Sequence, residues 1–264
     1  LQNRIGTKAN NEEGVTTNVG VGFQASTNYY SHLFSLNIES KSEEYNQDDF
    51  TDKVKNEYSR LNTILGIQDD WVSNSGAHML MLGIKAQYID DDNGSLGNEN
   101  SDFYSNYYSG YRFQLNQEWL FQTNLAQESR VPLLNEKFGD RGNTNGTEEL
   151  KPETAINFDL GFKYEKNNFS IGSAYFYRYL DDAIILVFSS QGVGKPENIS
   201  KADIHGLEVE SSFDVNADFS LLFNATIQHS EDLSSSSSSA GNLLPGLYKR
   251  EAFLSANYRY KAFT

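Results

Sequence analysis

Residues 15–26 read Val15-Thr16-Thr17-Asn18-Val19-Gly20-Val21-Gly22-Phe23-Gln24-Ala25-Ser26. Val15, Thr17, Val19, Val21, Phe23 and Ala25 fall on one side of an extended chain; the intervening polar and glycine residues fall on the other. Strand side chains alternate with a period of two, so this stretch predicts a strand with one apolar and one polar wall. The rhythm returns at 154–164, where Ile156, Phe158, Leu160, Phe162 and Tyr164 oppose Ala155, Asn157, Asp159, Gly161 and Lys163. Eleven such segments are predicted, near 15–26, 29–40, 58–69, 76–89, 103–115, 118–127, 154–164, 169–179, 203–213, 219–229 and 249–260. Most are roughly eleven residues long, where strands in globular proteins average about five or six. A tilted membrane strand needs about nine to eleven.

The connections predicted at 27–28, 70–75, 116–117, 165–168 and 214–218 are short. Those at 41–57, 90–102, 128–153, 180–202 and 230–248 are long, and the two kinds alternate without exception. An up-and-down barrel in an outer membrane has this asymmetry, with tight periplasmic turns and long outer loops. A soluble β-sandwich is the alternative, although nothing requires a sandwich to keep one end tight. Trp119, Tyr164, Phe169, Tyr258 and Tyr260 lie near short-turn ends, and Tyr177 and Tyr179 near a long-loop end. Rings in those places suit the two membrane interfaces.

Composition narrows the function classes. The 264 residues suffice for one large β domain or two small ones. Apolar content is 38% and mean hydropathy −0.58, and no run approaches the roughly 18 apolar residues of a spanning helix. A barrel strand tolerates such values because only alternate residues meet lipid. The formal charge of −15 argues against a nucleic-acid partner, which needs a basic surface. No cysteine is present, which removes disulfides, thiolate metal sites and thiol nucleophiles.

Searches for chemistry return nothing specific. His32, His78, His205 and His229 lie on different strands without metal-ligand spacing. Asp90-Asp91-Asp92-Asn93-Gly94 resembles a calcium loop, yet setting Gly94 at the sixth position places Ile89 first and Asn100 twelfth, where carboxylates are needed. No nucleophile elbow, phosphate-binding loop or paired-acid motif occurs in a credible context. No catalytic residue, metal ligand or cofactor is therefore predicted. Acid collects in the long connections, as Glu43, Glu44, Asp48, Asp49 and Asp52, then Asp90, Asp91, Asp92, Glu99 and Asp102. These read as solvated surface, or as a negative rim that draws in divalent or cationic ligands.

The second half carries a series of motifs. Ser129-Arg130-Val131-Pro132 is followed by Glu136-Lys137-Phe138, then by Leu150-Lys151-Pro152-Glu153 and a strand centred on Gly161. Tyr175-Phe176-Tyr177 and Asp181-Asp182-Ala183-Ile184 come next, then Asn198 to Ala202, Gly206-Leu207-Glu208-Val209-Glu210, and Leu244-Pro245-Gly246. In this order over 129–260 the motifs resemble the barrel of TonB-dependent outer-membrane receptors. The first half shares only the strand rhythm.

The resemblance implies an all-β, antiparallel up-and-down transmembrane β-barrel of 22 strands around an N-terminal plug. Such receptors lie in the outer membrane of Gram-negative bacteria. They import bulky scarce nutrients, most often ferric siderophores or other metal chelates, with energy delivered by TonB. No residues suited to a plug precede the first predicted strand, and about half the strands are present. Residues 1–264 are thus expected to form the C-terminal part of such a barrel, lacking plug and last strands. Its partners would be the nutrient ligand, outer-membrane lipid, and TonB through the missing plug region. No covalent chemistry is implied; a passive channel or adhesin barrel is the alternative.

Arg141, Lys137 and Arg130 are the candidate ligand contacts in the outer connection, since a guanidinium can grip an anionic chelate. Pro132, Glu136, Leu150, Pro152, Glu153, Gly206 and Glu208 are expected to act structurally, with Arg130 anchored on Glu136. Residues 133–151 hold no histidine, which lowers a haem reading. The family segment falls in a long connection, so long loops should face outside. On that frame 15–25 becomes a lipid-facing stripe on a descending strand.

Overall fold

The structure, a computed structural model, describes residues 2–5, 8–49, 54–94, 98–140, 144–233, 240–244 and 246–260. Side chains are described from residue 14 onward, excepting 49, 54, 98–100, 199 and 200. The serine run at 234–239 and Arg141 lie outside the described residues.

Twelve antiparallel strands form one sheet in strict sequence order: β1 (Gln2–Ile5), β2 (Lys8–Tyr29), β3 (His32–Asp49), β4 (Val54–Val72), β5 (His78–Asn93), β6 (Asn98–Gln114), β7 (Trp119–Arg130), β8 (Glu153–Lys166), β9 (Phe169–Phe188), β10 (Gly194–Asn216), β11 (Phe219–Asp232) and β12 (Arg250–Tyr258). Each pairs only with its sequence neighbours, and β1 and β12 do not pair with each other among the described residues. The element is an up-and-down wall, open where further strands would continue it. One short helix, α1 (Leu134–Phe138), lies in the connection after β7.

Register aligns the alternation across the whole wall. On β2 the outward row is Val15, Val19, Val21 and Phe23, all exposed, with Val21 at 73%. Phe23 pairs with Ile38, Ile38 with Leu65 and Leu65 with Ala86, so one apolar tier crosses four strands. Apolar residues left bare in such contiguity need a lipid solvent. The aromatic residues at the short-turn end make a belt. His78, Phe113, Phe121, Trp119, Tyr164, Phe169 and Phe213 follow one another at centroid separations of 4.7, 6.5, 6.2, 4.7, 6.4 and 6.5 Å. Such a row marks a membrane–water boundary.

The strands exceed their predicted lengths, and β3, β9 and β10 hold 18, 20 and 23 residues. Most of the supposed long connections 41–57, 90–102 and 180–202 is strand ladder. The reason is solvent. Beyond Ile38 the outward residues of β3 become Ser40, Ser42 and Glu44, and beyond Tyr88 those of β5 become Asp90 and Asp92. Where water meets both faces, no apolar alternation marks a strand. The asymmetry of the two ends persists as strands that rise past the lipid, closed below by the tight turns at Tyr30-Ser31, Asn167-Asn168 and Ala217-Asp218. Asn167 has φ 54°, a left-handed value asparagine tolerates and tight hairpins require.

The outward assignment makes a direct prediction. Val21→Arg places a charge in lipid and should cost about 2–4 kcal/mol of barrel stability, whereas Gln24→Arg on the inner wall should be tolerated. Urea-dependent folding of the full-length protein into bilayers measures both. Equal tolerance at the two positions would contradict the assignment.

Candidate functional site

Residues 131–140 and 144–152 do not project outward. They fold back onto the inner face of the wall. Glu136 accepts the Leu133 N–H at 2.8 Å and closes the first turn of α1. Gly139 ends it at φ 78°; a Cβ there would meet Gly146 N and Thr144 O at 2.7 Å, so both conformation and space demand glycine. Leu134, only 2% exposed, packs with Tyr45 of β3 and Tyr58 of β4. The Phe138 ring stacks on Tyr58 at 3.8 Å between centroids. Tyr45 donates from its hydroxyl to Gly139 O at 3.0 Å, and Gln47 Nε2 donates to the same carbonyl.

Beneath this apolar patch sits a buried charge cluster. Arg60 of β4 and Asp91 of β5 are register partners, and Arg60 Nε and Nη2 donate to the two Asp91 oxygens at 2.6 and 2.8 Å. Lys137 Nζ reaches Asp91 Oδ2 at 2.7 Å, and Arg60 Nη1 donates to Pro132 O at 2.7 Å. Two cations and one carboxylate therefore join wall to connection. Burial pushes the Asp91 carboxyl up, but Arg60 and Lys137 together outweigh burial and hold it below the usual carboxylate range. Burial raises the Tyr45 hydroxyl, against the pull of its Gln47 bond and with a further push from Asp140.

The return leg is tied to the far side. Asn145 N–H donates to Gly194 O at 2.8 Å, and Thr147 Oγ1 to Pro196 O at 2.7 Å. Asn198 accepts the Lys151 N–H and donates to the Lys151 and Asp182 carbonyls at 3.0 and 2.6 Å. The described parts of the connection thus hold to β3–β5 through 132–139 and to β9–β10 through 145–151.

The sequence profile described as "TonB dependent receptor-like, beta-barrel" matches residues 2–264. The chain belongs to the TonB-dependent receptor family. Solved structures share its fold. The copper transporter OprC superposes with a TM-score of 0.83 at 14% identity, over 96% of this chain and 42% of that one. The FrpB iron transporter of Neisseria meningitidis (F3-3 variant) gives 0.71 at 18%, over 96% and 41%. The ferric yersiniabactin uptake receptor FyuA of Yersinia pestis gives 0.67 at 19%, over 95% and 41%. This chain spans about two-fifths of the length of these structures. No curated protein matches it in sequence.

Within this receptor barrel the motif residues converge on the docked connection. Arg130 donates from Nη1 to Glu136 at 3.1 Å and approaches Glu153 at 3.8 Å. Glu153 also accepts the Ile184 N–H at 3.1 Å and lies 3.7 Å from Arg178. Pro132 and Leu150 are buried and Pro152 half-buried. Gly206 and Glu208 stand apart, on the β10 wall, where the Phe176 ring of β9 covers Gly206. Lys137 is buried in the Asp91 cluster. Of the triple aspartate only Asp91 turns inward; strand alternation sends Asp90 and Asp92 outward, which disperses the carboxylates. Among the described residues no group of three or more metal-ligating side chains assembles. Arg60, Tyr58 and Tyr45 were not singled out from sequence. Asn198 was, as the head of the Asn-to-Ala block, without a role.

The lowered Asp91 pKa fixes a pH dependence. Asp91 is charged in docked and undocked states alike above its ordinary pKa near about 4, so its contribution is complete there. It is lost as pH falls through the depressed value of the docked state. Hydrogen exchange of 134–139, corrected for intrinsic rates, should show constant docking from about pH 5 to 8 and release only in stronger acid. A transition above about pH 6 would assign control to another group.

Proposed function

We propose that this chain is barrel wall of an outer-membrane receptor of a Gram-negative bacterium that imports a bulky scarce nutrient, a ferric siderophore or another metal chelate. Energy is passed by TonB through a plug encoded outside these residues, and no covalent step takes place. All of 1–264 belongs to the barrel. The observation that carries the reading is the docked connection. A buried ion cluster and an aromatic stack hold 132–139 against the inner wall, which gives the lumen a fixed surface for a specific cargo. The same class is supported by the structural relatives, which include a copper transporter, an iron transporter and a ferric yersiniabactin uptake receptor.

In this reading Arg141 is the ligand contact. Arg130 and Lys137, whose charges are met by Glu136, Glu153 and Asp91, serve the ligand by positioning the connection. The test is uptake by cells making the full-length receptor as their sole route for each of a panel of ferric siderophores, haem, cobalamin and oligosaccharides. Saturable accumulation of one of them, abolished without TonB, is expected. Leakage of small solutes with no saturable uptake would instead make the protein a passive channel.

A further inference from the structure

A second cluster lies under the docked connection and shares Arg130, Glu153 and Arg178 with it. A cavity of about 270 Å³ opens in the inner wall across β5–β9, lined by Lys85, Asn106, Tyr108, Arg130, Arg178 and the acids Glu128 and Glu153. Arg130 is already met by Glu136 and Glu153, so the charge left over there is that of Lys85 and in part of Arg178, in a chain whose net charge is −15. The acids are already engaged. Glu128 accepts from Asn157 Nδ2 at 3.2 Å, and Glu153 serves a backbone N–H and two guanidiniums at once. Lys85 has no ion-pair partner among the described residues. Arg178 has only the 3.7 Å approach to Glu153.

Asn106 supplies the independent observation. It is 1% exposed, and its Oδ1 accepts the Ser129 N–H, which fixes the orientation of the amide. Its Nδ2 is left buried with no acceptor. Buried donors without partners are rare and costly, so such a group calls for a missing acceptor. A free ammonium, an under-used guanidinium and an orphaned amide donor together complement an oxygen anion. A carboxylate fits better than a phosphate, because one negative charge matches the unpaired Lys85 whereas two would face Glu128 and Glu153.

We propose that Lys85, Asn106 and Arg178 form a carboxylate-binding subsite in the lumen wall at the base of the docked connection. The carboxylate comes either from a passing cargo or from a segment of the receptor outside this chain that folds into the lumen.

Amine labelling distinguishes these sources. Full-length receptor in outer-membrane vesicles is treated with a small acetylating reagent, and modification of Lys85 is quantified by mass spectrometry with the monocarboxylate benzoate as the probe. If the carboxylate is a cargo's, Lys85 labels readily and millimolar benzoate slows it about tenfold, or about 1.4 kcal/mol. The uncharged methyl ester of benzoate has no effect, and Asn106→Leu/Arg178→Gln abolishes the protection by benzoate. If the carboxylate is the receptor's own, Lys85 in the unliganded protein labels about tenfold more slowly than in that double variant, with no response to benzoate. Lys163, lower on the wall, labels equally throughout and reports an intact barrel. Equal labelling of Lys85 under all conditions would leave only water in the cavity and overturn the proposal. Slow labelling in wild type and variant alike would also overturn it, since mere coverage does not depend on Arg178 or Asn106. The readout needs no transport, so its failure and a failure of the uptake test are separate results.

Discussion

Asp91→Ala is expected to release the 131–152 connection while leaving the barrel folded. The substitution strands Arg60 and Lys137, whose side chains are 7% and 10% exposed, as buried cations with no counter-charge. Breaking such a buried network costs about 3–5 kcal/mol. At about 1.4 kcal/mol per decade, this is at least about a hundredfold in the docking equilibrium. Protease digestion of outer-membrane vesicles should therefore cut between residues 133 and 149 about a hundred times faster than in wild type. The strands should remain resistant, because the β4–β5 ladder is made by backbone. The triple change Arg60→Met, Asp91→Leu, Lys137→Met removes every charge together and should recover most of the protection, since apolar groups of similar volume replace buried ions at little cost. Unchanged cleavage in Asp91→Ala would mean that the Tyr58–Phe138 stack alone holds the connection.

Gly206→Ala is expected to block assembly of the wall. A Cβ at this position would lie 2.5 Å from Ile227 O, 2.7 Å from Phe176 Cζ and 2.9 Å from Gln228 Cβ. The first of these atoms belongs to the backbone of β11 and cannot turn aside, so the β10–β11 ladder must open. The cost is about 3 kcal/mol or more, at or beyond the upper end for overpacking. Migration of unheated receptor in detergent gels separates folded from unfolded barrel and should show the folded band largely lost. Adding Phe176→Leu relieves only the ring contact and should restore little. Gly161→Ala is the internal comparison; its nearest backbone atom is at 3.3 Å, and the folded band should survive. A folded band of normal intensity in Gly206→Ala would refute the steric argument.

The wall was legible in the sequence wherever lipid lies on one side and the lumen on the other. Val15 to Ala25 and Ile156 to Tyr164 alternate because each successive residue meets a different solvent, and the structure turns both rows outward. It was not legible above the membrane. Residues 41–49 of β3 alternate Lys41, Glu43, Tyr45 and Gln47 with Ser42, Glu44, Asn46 and Asp48, a loop-like composition held extended by its neighbours. The first hairpin, β1 with the start of β2, likewise lacks an apolar stripe in Gln2–Ile5.

The site divides in the same way. The Arg130–Glu136 contact spans six residues and was expected from the family motif that holds both. The Arg60–Asp91–Lys137 cluster could not, because its members lie 31 and 46 residues apart and meet only through register and the fold-back of the connection. Asn198 clamps Lys151 across 47 residues for the same reason.

The central claim is that the 131–152 connection is docked inside the barrel. The most direct measurement is hydrogen exchange of the Lys137 and Gly139 amides in the full-length receptor in outer-membrane vesicles. These amides donate to Leu133 O and Asn135 O at 3.0 and 2.9 Å, beneath a connection fixed to β3–β5. The docked arrangement predicts exchange at least about a hundredfold slower than the unprotected rate, as for other cooperatively held backbone. Exchange at the unprotected rate would show a free surface loop and contradict it.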